Sequence, residues 1–189
     1  MKNGLLHIVL LVSICVSCNS KHSNKIIDAS NPNLKLDNGI LYYKNVPFSG
    51  DLITHFENRS FKSYTEYKNG KKHGSEKYWN VDADLVVERY YFKGNKTGIH
   101  KAWWNNRNLK FEYHFNKKGE YHGNVKEWYE TGQLFRVFNY ENGKETGSQK
   151  LWYETGKIKA NYEVIKGERF GLIGLKKCYQ VTVGSNEVE

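Results

Sequence analysis

Residues 123–147 read "GNVKEWYETGQLFRVFNYENGKETG". Two runs, "NVKEWY" and "QLFRVFNY", are separated by "ETG" and closed by "ENGKETG". In the second run every second position, Leu134, Arg136, Phe138 and Tyr140, is biased to apolar side chains. Alternation at period two is the signature of a strand. Thr-Gly and Asn-Gly are turn dipeptides, because Gly accepts positive φ without steric cost. The stretch predicts an antiparallel hairpin and a tight turn into another. Its five letters "WYETG", at 128–132, return at 152–156.

Outward from this hairpin the unit repeats. Gly50, Gly74, Gly98, Gly123, Gly147 and Gly171 recur at a constant step but for one extra residue. That residue lies in "NKKGEYHG" (116–123), a turn, where insertion costs least. Five residues after these anchors stand Trp79, Trp103, Trp128 and Trp152, with His55 in the first unit. Six residues after them stand Phe56, Trp104, Tyr129 and Tyr153, with Asn80 the exception. Eleven on are Phe61, Leu85, Leu109, Leu134 and Ile158; seventeen on are Tyr67, Tyr91, Phe115, Tyr140 and Val164. Simple alternation would put the positions eleven, thirteen, fifteen and seventeen on one face. The expected fold is all-β: an elongated antiparallel β-meander of about five 24-residue hairpins. A closed β-sandwich with evenly spaced strands is the alternative. A lone hairpin buries too little apolar surface to hold itself, so stacking of neighbours must supply the rest.

The ends depart from the repeat. "NGILYYKNVPFSG" at 38–50 matches the second half of a unit, because Tyr43 falls where Tyr67 does. It is expected to be a starting half-repeat, and the repeat domain is expected over 38–171. Past Gly171 the pattern breaks, with Lys176 where a Trp would stand, so 172–189 is expected as a capping strand and tail.

The start of the chain is of another kind. Lys2 precedes the apolar run "GLLHIVLLVSICVSC", which is too short to span a bilayer and has the layout of a secretory signal. Ser17 before Cys18 resembles a bacterial lipoprotein signal, with 1–17 removed and the lipid carried by Cys18. Cys15 stands where that family usually has Leu, and an ordinary secretory signal is the alternative. The polar stretch 18–37 is expected to be a flexible tether. After processing, Cys178 has no unmodified partner for a disulfide within the chain. It is expected to be a half-buried strand residue. Net charge is +9, and loss of Lys2 leaves about +8. A basic exported chain points to acidic proteins or anionic lipid rather than nucleic acid.

Composition agrees with strands. The chain has 14 Tyr, 9 Phe, 5 Trp and 17 Gly but only 2 Pro, which favours strands and turns over helices. The anchor Gly, the Trp-Tyr pair, the apolar residue eleven on, the Tyr seventeen on and the closing Gly-Lys turn together resemble the MORN repeat in its bacterial form. The resemblance covers about 38–171, is best over 123–171 and weakens over 50–73, where His55 replaces the Trp. It implies a twisted single-layer meander and no single activity. Related bacterial chains are often described as antitoxins, and eukaryotic relatives as membrane or protein scaffolds.

No catalytic motif stands out. Beyond the signal segment, in which Cys15 and Cys18 stand three apart, there is no HExxH, no Cys-x-x-Cys, no phosphate loop and no Gly-x-Ser-x-Gly. The expectation is therefore no enzyme, no metal and no cofactor. His73 and His122 share a position that other units fill with Thr97, Thr146 and Phe170, so it is not a ligand position. The glycines are expected at turns. One constellation remains. Lys77, Lys101, Lys126 and Lys150 stand three residues after the anchor and two before Trp79, Trp103, Trp128 and Trp152. Alternation places each Lys and its Trp on one face. A ladder of cations beside a ladder of Trp is the candidate binding surface, fit for an anionic surface or for stacking on sugars. Alternatively the Trp are core and the Lys stems shield them. The expected function is a lipid-anchored protein-binding or scaffolding module at the cell envelope, on its periplasmic or surface face. An antitoxin or immunity protein, and a carbohydrate- or peptidoglycan-binding module, are alternatives. A meander also has two edges through which copies can pair.

Overall fold

The computed structural model describes residues 25–104 and 108–174. The signal, Cys15, Cys18 and Cys178 lie outside the described residues. Every regular element among those described is a strand. In chain order they are β1 (Ile26–Asp28), β2 (Leu34–Asp37), β3 (Ile40–Tyr43), β4 (Val46–Pro47), β5 (Gly50–His55), β6 (Phe61–Lys68), β7 (Lys71–Trp79) and β8 (Leu85–Phe92). Then follow β9 (Asn95–Trp103), β10 (Leu109–Phe115), β11 (Tyr121–Trp128), β12 (Leu134–Glu141), β13 (Lys144–Glu145), β14 (Gly147–Trp152), β15 (Ile158–Ile165) and β16 (Glu168–Leu172).

The strands from β5 onward run as one antiparallel meander in chain order, with β13 a side pairing on β12. The all-β meander expected from the glycine spacing is what forms. The first edge is closed by β1, which pairs parallel with β5. Strands β2, β3 and β4 make a separate small sheet. The stretch expected as a tether contains β1 and β2, so the tether reading fails from Lys25 onward; strands of three and four residues are too short for a periodic signal. The segment 38–50 is likewise not a half-repeat within the meander. Its β3 pairs with β2 and β4, and it meets the first hairpin through Leu41 N–H to Gly70 O and Gly70 N–H to Phe48 O. Ile27, Leu41 and Phe48 form the core there, with Leu34, Tyr43, Leu52 and Tyr67 around them.

Turn chemistry sets the register. Asn69-Gly70, Lys93-Gly94, Asn142-Gly143 and Lys166-Gly167 all have two positive φ angles, as a two-residue hairpin turn of the primed type requires. The inserted residue converts the remaining inter-unit turn into a longer one, in which Asn116 N–H donates to Glu120 O and Gly119 N–H to Asn116 O. The same longer turn closes the hairpins themselves. In "WYETG", Tyr129 N–H donates to Gln133 O and Gly132 N–H to Tyr129 O. Gly132 sits at φ 85°, and Arg59 and Ala83 hold the equivalent position at 66° and 62°.

This turn is followed by a bulge. Trp79 pairs with Leu85 but Tyr78 pairs with Val87, so Val86 is extra. The equivalent shifts leave Lys62, Lys110, Phe135 and Lys159 extra. One extra residue flips the face of what precedes it. Leu85, Leu109, Leu134 and Ile158 therefore share the Trp face, which corrects the expectation that they align with the positions thirteen to seventeen on. The anchor glycines also differ from expectation: they lie in strands, at positive φ, and not in turns. A Cβ at Gly74 would collide with the Glu66 carboxylate.

The left-handed position favours Gly by about 1 kcal/mol or more over other L-residues. Ala83→Gly is expected to stabilise the chain by roughly 1 kcal/mol, about 2–4 °C in Tm. Gly132→Ala is expected to destabilise it by a similar amount. Thermal melts of both variants check the pair.

Candidate functional site

The register defines two faces. On the outer face lie Lys77, Lys101, Lys126 and Lys150 with Trp79, Trp103, Trp128 and Trp152, as alternation predicts. All four Trp are half-buried. What the sequence reading missed lies between the lysines. Glu88 pairs across to both Lys77 and Lys101, and Glu112 to both Lys101 and Lys126. Lys77 Nζ is 3.3 Å from Glu88, and Lys101 Nζ is 3.3 Å from Glu112. The expected ladder of cations is thus a row of alternating sign, Lys77–Glu88–Lys101–Glu112–Lys126. Beyond it Val137 separates Lys126 from Lys150. Neither Lys126 nor Lys150 forms an ion pair among the described residues. Burial favours the neutral acid at Glu112, but hydrogen bonds from His114 and Lys101 outweigh it and hold this carboxyl below its ordinary range.

The inner face carries most of the buried residues of the meander: Ser63, Thr65, Glu76, His100, Ala102, Val125, Gln149, Ala160, Tyr162 and Val164. The deepest column is two residues after the anchor glycine, and three of its members are polar. For two of them, His100 and Gln149, the reason is the ladder. Val125 and Glu76 each have a backbone partner on the preceding strand, Tyr113 and Thr65. His100 and Gln149 have none, because a register shift interrupts the ladder one residue short of each before pairing resumes. Their side chains replace it. His100 Nε2 lies 2.8 Å from Tyr90 O. Gln149 takes Asn139 N–H at 3.0 Å and gives its amide to Asn139 O at 3.0 Å and Thr146 O at 2.9 Å. Buried backbone groups left unpaired would cost about 1–3 kcal/mol each.

His100 is also held by rings. Tyr91 and Phe115 flank it at 5.5 and 4.6 Å, and the file continues through Tyr121 to Tyr140 at 4.9 and 5.2 Å. Aromatic pairs at these distances add to burial. Burial drives the His100 imidazole below its ordinary value, against the Tyr90 carbonyl and with repulsion from Arg89. Glu76 is fully buried and receives Lys72, Arg89, Tyr78 and Tyr91. Desolvation opposes its charge, but Lys72 and Arg89 win and its carboxyl titrates below the usual range.

A second repeated device links the hairpin turns. Trp104 Nε1–H donates to Trp128 O at 3.2 Å, and Tyr129 O–H to Trp152 O at 3.1 Å. Each of these aromatics is covered by the bulge residue of its own hairpin: Lys110 lies 4.2 Å over Trp104, and Phe135 packs edge-on at 5.1 Å from Tyr129. Lys62 over Phe56 and Lys159 over Tyr153 repeat the arrangement. Between Trp104 and Tyr129 is an open cleft of about 430 Å³, lined also by Tyr113, Glu127 and Phe135. The six-residue separation of aromatic and covering residue was the signal in the sequence. Among the described residues no three His, Cys, Asp or Glu side chains gather as a metal cradle. Compared with known proteins, the chain matches no family model and no curated protein.

Two buried groups, His100 and Glu76, contribute to the acid response at different pH. His100 has a folded value below its unfolded 6.5, so its contribution is whole above pH 6.5 and is lost as pH falls below it. Glu76 is also depressed, from 4.5, so its contribution is lost as pH falls below that value. His100→Gln keeps a donor for Tyr90 O, as Gln149 does in its own hairpin. This variant is expected to lose the first step in a plot of Tm against pH and keep the second.

Proposed function

We propose that the chain is a non-enzymatic binding protein, held at the cell envelope by lipid on Cys18, whose outer sheet face docks a protein partner. The observation that carries this reading is the alternating row. A ladder of free cations suits any polyanion. A row of alternating sign neutralises itself against a uniform anionic surface and rewards only a partner with the complementary pattern, which a folded protein provides. The half-buried Trp beside the row, and Leu85, Leu109 and Leu134 opposite them, supply the apolar area such docking needs.

The resemblance to MORN repeats agrees with a scaffold-type role. An antitoxin or immunity role is a special case of the same surface. It differs only in the partner, a toxin bound one to one.

Lys126 and Lys150 are the cations the row leaves uncompensated, so they should contribute most. Lys126→Glu with Lys150→Glu is expected to weaken capture of the envelope partner roughly tenfold, at up to about 1 kcal/mol per lysine. A control reversal at the turn residue Arg59 should leave capture unchanged. Quantitative cross-linking in native envelopes reads the difference; equal capture by all three chains removes this face from the proposal.

A further inference from the structure

We propose that the cleft of Lys25, Tyr43, Lys44 and Phe48, beside the first edge of the meander, is a contact for the phosphate of anionic phospholipid headgroups. The inference rests on the lipid-anchor reading of Cys18 for its geometry and on the folded residues for its chemistry.

The cleft is built and not a chance gathering of lysines. Asp51 N–H donates to Lys25 O at 2.9 Å, which fixes the backbone where the chain enters the sheet. Gly50 is required beside it, since a Cβ there would collide with Lys25 O. With its backbone held, Lys25 lays its ammonium 3.9 Å over the Tyr43 ring, and Lys44 brings a second to 5.7 Å from the same ring. The neighbouring carboxylates are committed elsewhere. Asp37 pairs with Lys35 at 3.8 Å, and Asp28 is held by Ser30 and by His55 at 2.8 Å. Neither Lys25 nor Lys44 has a carboxylate partner among the described residues. Two like charges drawn to one ring raise the positive potential of the cleft, which an anion bound there offsets. The cleft is open and about 370 Å³, with Val46 and Pro47 as an apolar wall.

Two further facts select a membrane over a soluble anion. Ile26, Leu36 and Val46, in or beside the same end of the fold, are 60%, 69% and 64% exposed. Exposed apolar side chains next to lysines are what an interfacial contact uses. Only seven residues lead from Cys18 to Lys25. Fully extended, they span at most about 25 Å. A lipid on Cys18 keeps this cleft within reach of the headgroups.

The test uses the full chain returned to vesicles of phosphatidylcholine, alone or mixed with phosphatidylglycerol. An amine-reactive label is followed lysine by lysine by mass spectrometry. Labelling of Lys25 and Lys44 is expected to slow roughly fivefold on the anionic vesicles. Lys150 should be labelled equally on both. The protection should fade as salt is raised. Lys25→Gln with Lys44→Gln should abolish any preference for anionic vesicles. Equal labelling on the two vesicles overturns the proposal, as does equal protection by inorganic phosphate on neutral vesicles. The mass of the Cys18 peptide reports the anchor separately: protected lysines with an unacylated Cys18 support the cleft and remove only the anchor.

Discussion

Backbone hydrogen bonding is the constraint on which the rest of this sheet depends. Beyond the first hairpin, where the small sheet packs, no helix or second sheet covers the inner face among the described residues. The face must bury itself with its own side chains, and every break in the ladder must be repaired locally. Each hairpin carries bulges, which give the strands their turns and twist. Where a register shift interrupts the ladder beside His100 and Gln149, those side chains complete it. Where the ladder runs on, the same column tolerates Val125. The buried polarity of His100 and Gln149 is therefore dictated by register.

The meander was legible from residues 123–147 and the spacing of six glycines, because so even a period is not sustained by chance. The Lys and Trp were placed on the right face by alternation alone. Alternation failed at Leu85 and its equivalents, since a bulge adds a residue that no polar–apolar pattern announces. Glu88 and Glu112 were overlooked because their position is shared with Tyr64, Val137 and Asn161. The acid is informative only once the strands are in register and it stands between two lysines. The strand at Ile26–Asp28 was hidden for another reason: its pairing with β5 is parallel and non-local, with the whole small sheet lying between them in the chain.

The two ends of the meander are treated differently. At the first, the edge strand is β1, three residues long, and a short edge strand limits unwanted pairing. At the other, β16 pairs only with β15 among the described residues, and its side chains are exposed. The length of the meander thus separates an end with a short edge strand, next to the envelope in our proposal, from an end that faces away from it.

The longer turn at Asn116–Glu120 has a wider meaning. It absorbs an additional residue without disturbing the pairing of Tyr113 with Val125, so a change at one junction does not propagate into the next hairpin. Contacts in the sheet run almost wholly between sequential strands. Duplication or loss of a whole hairpin would leave the others intact, so such a chain can change length in steps of one unit. The reach of its outer face is then a heritable quantity, set by copy number more than by any individual side chain.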